Sequence, residues 1–284
     1  MDFRTLEHLS IAQVTEAFNR AFADYSIKLE HTEASMQAHF DANRIQLRLS
    51  VGAFEGDVLA GFMLHGKDLL DGAVTAYNAG TGVLPEFRGN RLTRQMYLFA
   101  LPVLQAAGCT QCVLEVIQSN MAAIKAYEAT GFKVLRSYPC FRGEVEQQEI
   151  KGHHFRETDA PDWPLYRSFW DWKPSWQNSP EAVALSPCRI VEVREQEDGP
   201  LLGYAVFLPK KGRVVQWAVH PQHRRKGIGT ALFQYAIKHS TGPFSVVNVE
   251  GGQQATLAFL ARLGLQEFVA QYEMQMPVEG YSEA

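Results

Sequence analysis

Apolar residues recur along the chain at two spacings, and the switches between them outline its elements. Ile11, Val14, Phe18 and Phe22 share one face of a helix, which Ser10 opens as the first residue of a capping box with Gln13. A second helix starts near Thr32 and buries Met36 and Phe40. Two short apolar runs, Val51 to Phe54 and Val58 to Leu64, flank Glu55-Gly56-Asp57 and predict a hairpin. A third strand is expected from Ala73 to Leu84. Its middle, Tyr77-Asn78-Ala79-Gly80-Thr81-Gly82, mixes polar groups with two glycines, the composition of a bulge or a close backbone approach. After Pro85 to Thr93 come helical residues to Ala107, a strand from Cys112 to Ile117 and a helix from Asn120.

The second half repeats this order. The apolar run Val214 to Val219 leads into His223-Arg-Arg-Lys-Gly-Ile-Gly-Thr230 and then an amphipathic stretch, Ala231 to His239. A strand, a glycine-broken turn and a helix start present unpaired backbone N–H groups at the positive end of a helix dipole, a natural seat for phosphates. In the spacing Arg224-x-x-Gly227-x-Gly229 the glycines permit close approach, and Arg224, Arg225 and Lys226 add positive charge. A nucleotide P-loop would need Lys then Ser or Thr after its last glycine, and a dinucleotide site Gly-x-Gly-x-x-Gly; neither is present. Leu59-Ala60-Gly61-Phe62 echoes Leu201-Leu202-Gly203-Tyr204, and Phe3-Arg4 echoes Phe155-Arg156. Self-similarity across half the chain predicts two copies of one domain, residues 1–150 and 151–284, with the boundary near Ile150. The pattern alone supports an α+β class.

The stretch from His223 to Thr230 resembles the pyrophosphate loop of the GNAT acetyltransferase superfamily, R-x-x-G-x-G/A between the fourth strand and the third helix. Asn120-x-x-Ala123-x-x-x-Tyr127-x-x-x-Gly131-Phe132 is similar to that family's block from the fifth strand through the fourth helix. The likeness spans nearly the whole chain and is weak over the amino-terminal helical region of each half. It implies two tandem domains, each a mixed, mostly antiparallel sheet flanked by helices and splayed at the fourth strand, where the acyl group lies. It also implies acetyl-CoA as cofactor and an N-acetyltransferase acting by direct attack on a small-molecule or peptide amine. The cofactor-binding residues it implies are Val83, Leu84, Arg88, Gly89, Asn90, Arg91, Leu92, Thr93 and Asn120 in the first copy. In the second they are Trp217, Val219, Arg224, Arg225, Lys226, Gly227, Ile228, Gly229 and Thr230.

Each copy departs from the family pattern. In the first, Arg91 and Thr93 occupy the two glycine slots of the loop. In the second, counting back from Gly264 places Leu260 where Tyr127 sits, Gln253 where Asn120 sits and Asn248 where Glu115 sits. By resemblance Tyr127 is the catalytic acid for the departing thiolate, since a phenol holds its proton at neutral pH; the other reading is a packed aromatic. Glu115 interrupts an apolar strand, as a buried base for an ammonium acceptor or as a strand-end charge in the wet part of the sheet. Catalysis is therefore expected in the first half, beside a better phosphate loop in the second. A protein of another class, an acyl-CoA-binding or scaffold protein without turnover, would follow if both copies were decayed.

Composition narrows the partners. The 284 residues carry a net charge of -4, against a phosphate-tracking surface and so against nucleic acid. Met1-Asp2-Phe3-Arg4 lacks signal-peptide order, and the longest apolar run, Met96 to Leu104, is short and contains Pro102, so no membrane partner and a cytoplasmic setting are expected. Cys109, Cys112, Cys140 and Cys188 read as free thiols, with no metal site. Trp163, Trp170, Trp172 and Trp176 cluster where the family's acceptor pocket is roofed, as pocket lining or as packing between the halves. Neither acceptor nor oligomeric state carries a motif.

Overall fold

The computed structural model describes residues 1–24, 30–150 and 152–278. In chain order the first half forms β1 (Asp2–Thr5), α1 (Ile11–Ala21), α2 (Glu33–Asn43), β2 (Val51–Glu55), β3 (Val58–Leu70), β4 (Ala73–Val83), α3 (Leu92–Ala106), β5 (Gln111–Ile117), α4 (Met121–Glu128) and β6 (Lys133–Gly143). The second half forms β7 (His154–Glu157), α5 (Trp163–Arg167), α6 (Pro180–Ala184), β8 (Arg189–Arg194), β9 (Leu201–Leu208), β10 (Arg213–Val219), α7 (Ile228–Lys238), β11 (Phe244–Val246), α8 (Gln254–Arg262) and β12 (Gln266–Pro277). The order repeats element for element. Capping follows the local sequence: Ser10 and Gln13 exchange hydrogen bonds at the start of α1, and Thr32 and Ser35 do so at α2.

The compact units are not the halves 1–150 and 151–284. One unit is Met1–Leu135 with the chain from Tyr272 onward; the other is Arg136–Gln271. The boundary expected near Ile150 lies inside the second unit because β6 does not close its own half. Its residues Phe141, Arg142 and Gly143 pair antiparallel with Val246, Ser245 and Phe244 of β11. In the first unit the strand beside β5 is the end of β12, where Val278 N–H donates to the Thr110 carbonyl at 2.9 Å. Met274, Met276 and Val278 are buried there with Leu101, Cys112 and Leu114.

In the first unit β1 to β5 lie side by side in that order, antiparallel except for β4 and β5. Alternation divides the strands between two cores. Val51, Ala53 and Met63 face α3 and α4, whereas Phe54, Phe62 and Leu64 face α1 and α2. The second unit repeats the plan in β7 to β11, with β10 and β11 parallel and α7 packed on Val193, Ala205 and Phe207. Each is a mixed, mostly antiparallel sheet flanked by helices.

The expected irregularity in β4 is a bulge. Register moves from His65 opposite Asn78 to Leu64 opposite Gly80, leaving Ala79 over, and pairing with β5 ends at Asn78 opposite Leu114. β10 does the same at Val215, and its pairing with β11 ends at Val214 opposite Val246. The fourth and fifth strands of each unit thus part where the bulge begins.

His65 sits at the first of these bulges, fully buried, with Nδ1 3.0 Å from the Leu49 carbonyl and no partner for Nε2 among the described residues. Desolvation pushes its pKa down to about 4. The native state therefore refuses a proton that the unfolded chain accepts below its ordinary value of about 6.5. Stability should be flat above that pH and fall as the medium is acidified toward pH 4, by about 2 kcal/mol at pH 5. Phe207 stands at the corresponding place in the second unit. Denaturant unfolding of His65→Phe should lose this share of the acid sensitivity, and an unchanged pH profile would count against it.

Candidate active site

Both turns between fourth strand and third helix use the same backbone. In the first, Gly89 and Arg91 have φ of 82° and 56°; in the second, Arg225 and Gly227 have φ of 63° and 83°. The two loops need two left-handed residues at the same places, and each spends its glycine on the opposite one. Neither α3 nor α7 has a side-chain cap, so their first N–H groups are left to an outside acceptor.

The arginine that opens each loop is already engaged. Arg224 donates to the Val219 carbonyl at 3.1 Å, to Asp171 at 2.7 Å and to the Phe169 carbonyl at 2.9 Å. Arg88 repeats this on the Val83 carbonyl at 3.2 Å, the Ala21 carbonyl at 2.9 Å and Asp24 at 2.6 and 2.8 Å. Its hydrogen bonds hold the Asp24 carboxyl below the usual range. Both guanidiniums fasten a loop to its strand end and to the segment after a helix, so the charge expected of Arg224 is spent on Asp171. Arg225 and Lys226 are exposed.

A cavity of about 550 Å³ opens beside the second loop, where β10 and β11 part. Trp217, Val219, Arg224, Arg225, Gly227, Gly229 and Thr230, all expected cofactor-binding residues, line it; Lys226 and Ile228 do not, and Ile228 is buried under α7. Sequence reasoning missed its buried polar wall of Asn178, Tyr204, Gln216 and Asn248. Tyr204 accepts from Trp170 Nε1 and donates to Gln216 Oε1 at 3.0 Å, and Gln216 Nε2 donates to the Asn178 carbonyl. Burial raises the Tyr204 phenol. A glutamine within the apolar run Val214 to Val219 was the available signal. Of the clustered tryptophans, Trp170 and Trp172 line the cavity, Trp163 packs edge-on against Tyr166, and Trp176 is buried in the second unit.

None of the first-half site residues lines that cavity. Tyr127 lies in the first unit, 8% exposed and edge-on to Tyr97 and Phe132 at centroid distances of 6.1 and 5.8 Å. Glu115 is half-buried on β5. Asn120 caps α4 through Ala123 N–H, and Leu84 is buried, its N–H donating to the Ala60 carbonyl and its carbonyl accepting from Phe87. Pairing also corrects one correspondence. Asn78 opposite Leu114 matches Val214 opposite Val246, so Val247, not Asn248, stands where Glu115 does. The residue of difference between that pairing and the count from Gly264 lies in the stretch between Val246 and α8, where Asn248 turns through φ 59°.

In each unit a parallel strand pair parts at a bulge beside an uncapped helix start, the splayed arrangement that the resemblance led one to expect. The profile of the Acetyltransferase (GNAT) family matches residues 11–132 and 153–265, and the chain belongs to that family. Acyl transfer, generally N-acetylation, is the chemistry of the family. A tandem GNAT protein from the clavulanic acid biosynthesis pathway superposes with a TM-score of 0.72 at 16% identity over 99% of each chain. A GCN5-related N-acetyltransferase from Sphaerobacter thermophilus gives 0.71 at 13% identity, over 100% of this chain and 97% of its own. A GCN5-related glucosamine N-acetyltransferase region of a fungal multi-domain β-N-acetylglucosaminidase gives 0.74 at 12% identity, over 97% of this chain and 38% of its own. At these identities the likeness is one of fold. No helix among the described residues is long and apolar enough to cross a membrane.

Proposed function

We propose that the protein is an acetyl-CoA-dependent N-acetyltransferase whose cofactor and acceptor meet in the second unit. The observation that carries this is the cavity of about 550 Å³ that joins the α7 amino terminus to the gap between β10 and β11. Bound there, acetyl-CoA would supply the acyl group as a thioester. The N–H groups of Ile228, Gly229 and Thr230 suit the diphosphate, with Arg225 adding exposed charge. Trp217 and Val219 flank the path inward along β10.

The chain's share of the work is to bind, orient and keep out water. Tyr204 holds its proton and its hydrogen bonds fix Gln216, so the buried wall is rigid rather than titrating. This reading moves the chemistry away from Tyr127 and Glu115, which the fold holds in the other unit. Calorimetry should give acetyl-CoA binding, and free thiol should appear when amines are added. Binding with no thiol release from any amine would instead support an acyl-CoA-binding protein without turnover.

A further inference from the structure

We propose that the acceptor taken by this cavity is a weakly basic amine carried on a planar ring, uncharged where it reacts; the proposal rests on the acyltransferase reading above. Trp170, Trp172, Trp217 and Phe259 give the cavity flat apolar walls, Trp172 and Trp217 meeting at 74° with centroids 5.5 Å apart. Such a corner grips a ring by face and edge contacts.

The buried polar groups between these walls are all neutral. Tyr204, Gln216 and Asn178 bond to one another, and Asn248 donates to Ser175 and accepts from Gln271 at 3.0 and 2.9 Å. Among the charged side chains that line the cavity, Arg224, Arg225 and Arg262 are cations and Asp171 is the one carboxylate, already paired with Arg224 at 2.7 Å. An ammonium group would lose its water here with no unpaired carboxylate side chain among the described lining residues to replace it. Aromatic faces attract cations, but that attraction holds the form that has no lone pair.

Reaction needs the lone pair. It forms the new bond to the acyl carbon as that carbon's bond to sulfur breaks, and the nitrogen's proton passes to the sulfur, leaving an amide and a free thiol. An alkylamine with a pKa of about 10 is uncharged in roughly one molecule in a thousand at pH 7. Among the described residues no histidine or unpaired carboxylate lines the cavity to take its extra proton. An arylamine arrives with the lone pair already available.

The isomers 4-methylaniline and benzylamine have the same atoms and differ in basicity, and spermidine adds charge. With saturating acetyl-CoA near pH 7, kcat/KM for 4-methylaniline should exceed that for benzylamine by at least about tenfold, with spermidine slower still. Calorimetry with coenzyme A present should show 4-methylaniline binding and benzylammonium not. If acetyl-CoA fails to bind, the acyltransferase reading falls and takes this one with it. If acetyl-CoA binds and benzylamine or spermidine is turned over as fast or faster, or 4-methylaniline is not turned over, the acceptor class alone is wrong.

Discussion

Ending the chain at Gln271 should leave the first unit unable to fold, although every residue of the first repeat is still present. The deletion takes away Met274, Met276 and Val278, which are 0%, 2% and 1% exposed in the core beneath α3. Burying each is worth about 2 kcal/mol, so about 6 kcal/mol would go, comparable with the whole stability of a domain. The deletion also strips β5 of its outer neighbour, exposing a ladder of unpaired groups beside the apolar residues Cys112, Val113 and Leu114. Expressed alone, residues 1–150 should likewise collect in the insoluble fraction. The milder Met274→Ala should cost about 2 to 5 kcal/mol, read from thermal or denaturant melting. A soluble, monomeric product ending at Gln271 with the melting temperature of the full chain would show that the exchanged strand is dispensable.

That exchange was not legible in the sequence, and the reason is local. β6 and β12 each follow a helix and a glycine turn, Gly131-Phe132 and Gly264-Leu265, so each reads as the last strand of its own repeat. Nothing in its alternation states which fifth strand it will join, because the choice is made by side chains 100 or more residues away. Features set by their own neighbours were legible: the capping box at Ser10, the bulge among Tyr77 to Gly82, and the turn and helix at Gly227. The bulge at Val215 was not, since the run Val214 to Val219 has no glycine to mark it. The cavity was half legible. Trp217 and the loop came from the motif, whereas Asn178 and Tyr204 arrive from a short turn just before α6 and from a plain apolar strand, neither of which carries a motif. Equating Glu115 with Asn248 failed because a count along the chain cannot see the extra residue between Val246 and α8.

The two loops supply their own control for the site assignment. At Gly227 a Cβ would meet nothing within 4 Å, so a side chain has room and the strain lies in φ +83° alone. Arg91 shows that the corresponding backbone, at φ 56°, tolerates arginine. Gly227→Asp should therefore fold, and its carboxylate would sit at the uncapped start of α7, where the positive dipole end now awaits a phosphate. Acetyl-CoA affinity should fall by more than about tenfold, at least ~1.4 kcal/mol, with thiol release falling in step. Gly227→Arg strains the same bond with the opposite charge and should keep affinity within about threefold, so a loss in the aspartate variant alone is electrostatic. Tyr127→Phe removes one hydroxyl from the packed cluster of Tyr97 and Phe132 and should leave turnover within about twofold, since Tyr127 lines no part of the cavity. The expectation drawn from the motif alone, a hundredfold loss with affinity intact, is the competing result. If Tyr127→Phe abolishes thiol release while Gly227→Asp still binds and turns over acetyl-CoA, the reaction belongs to the first unit, and the aromatic cavity of the second needs another role.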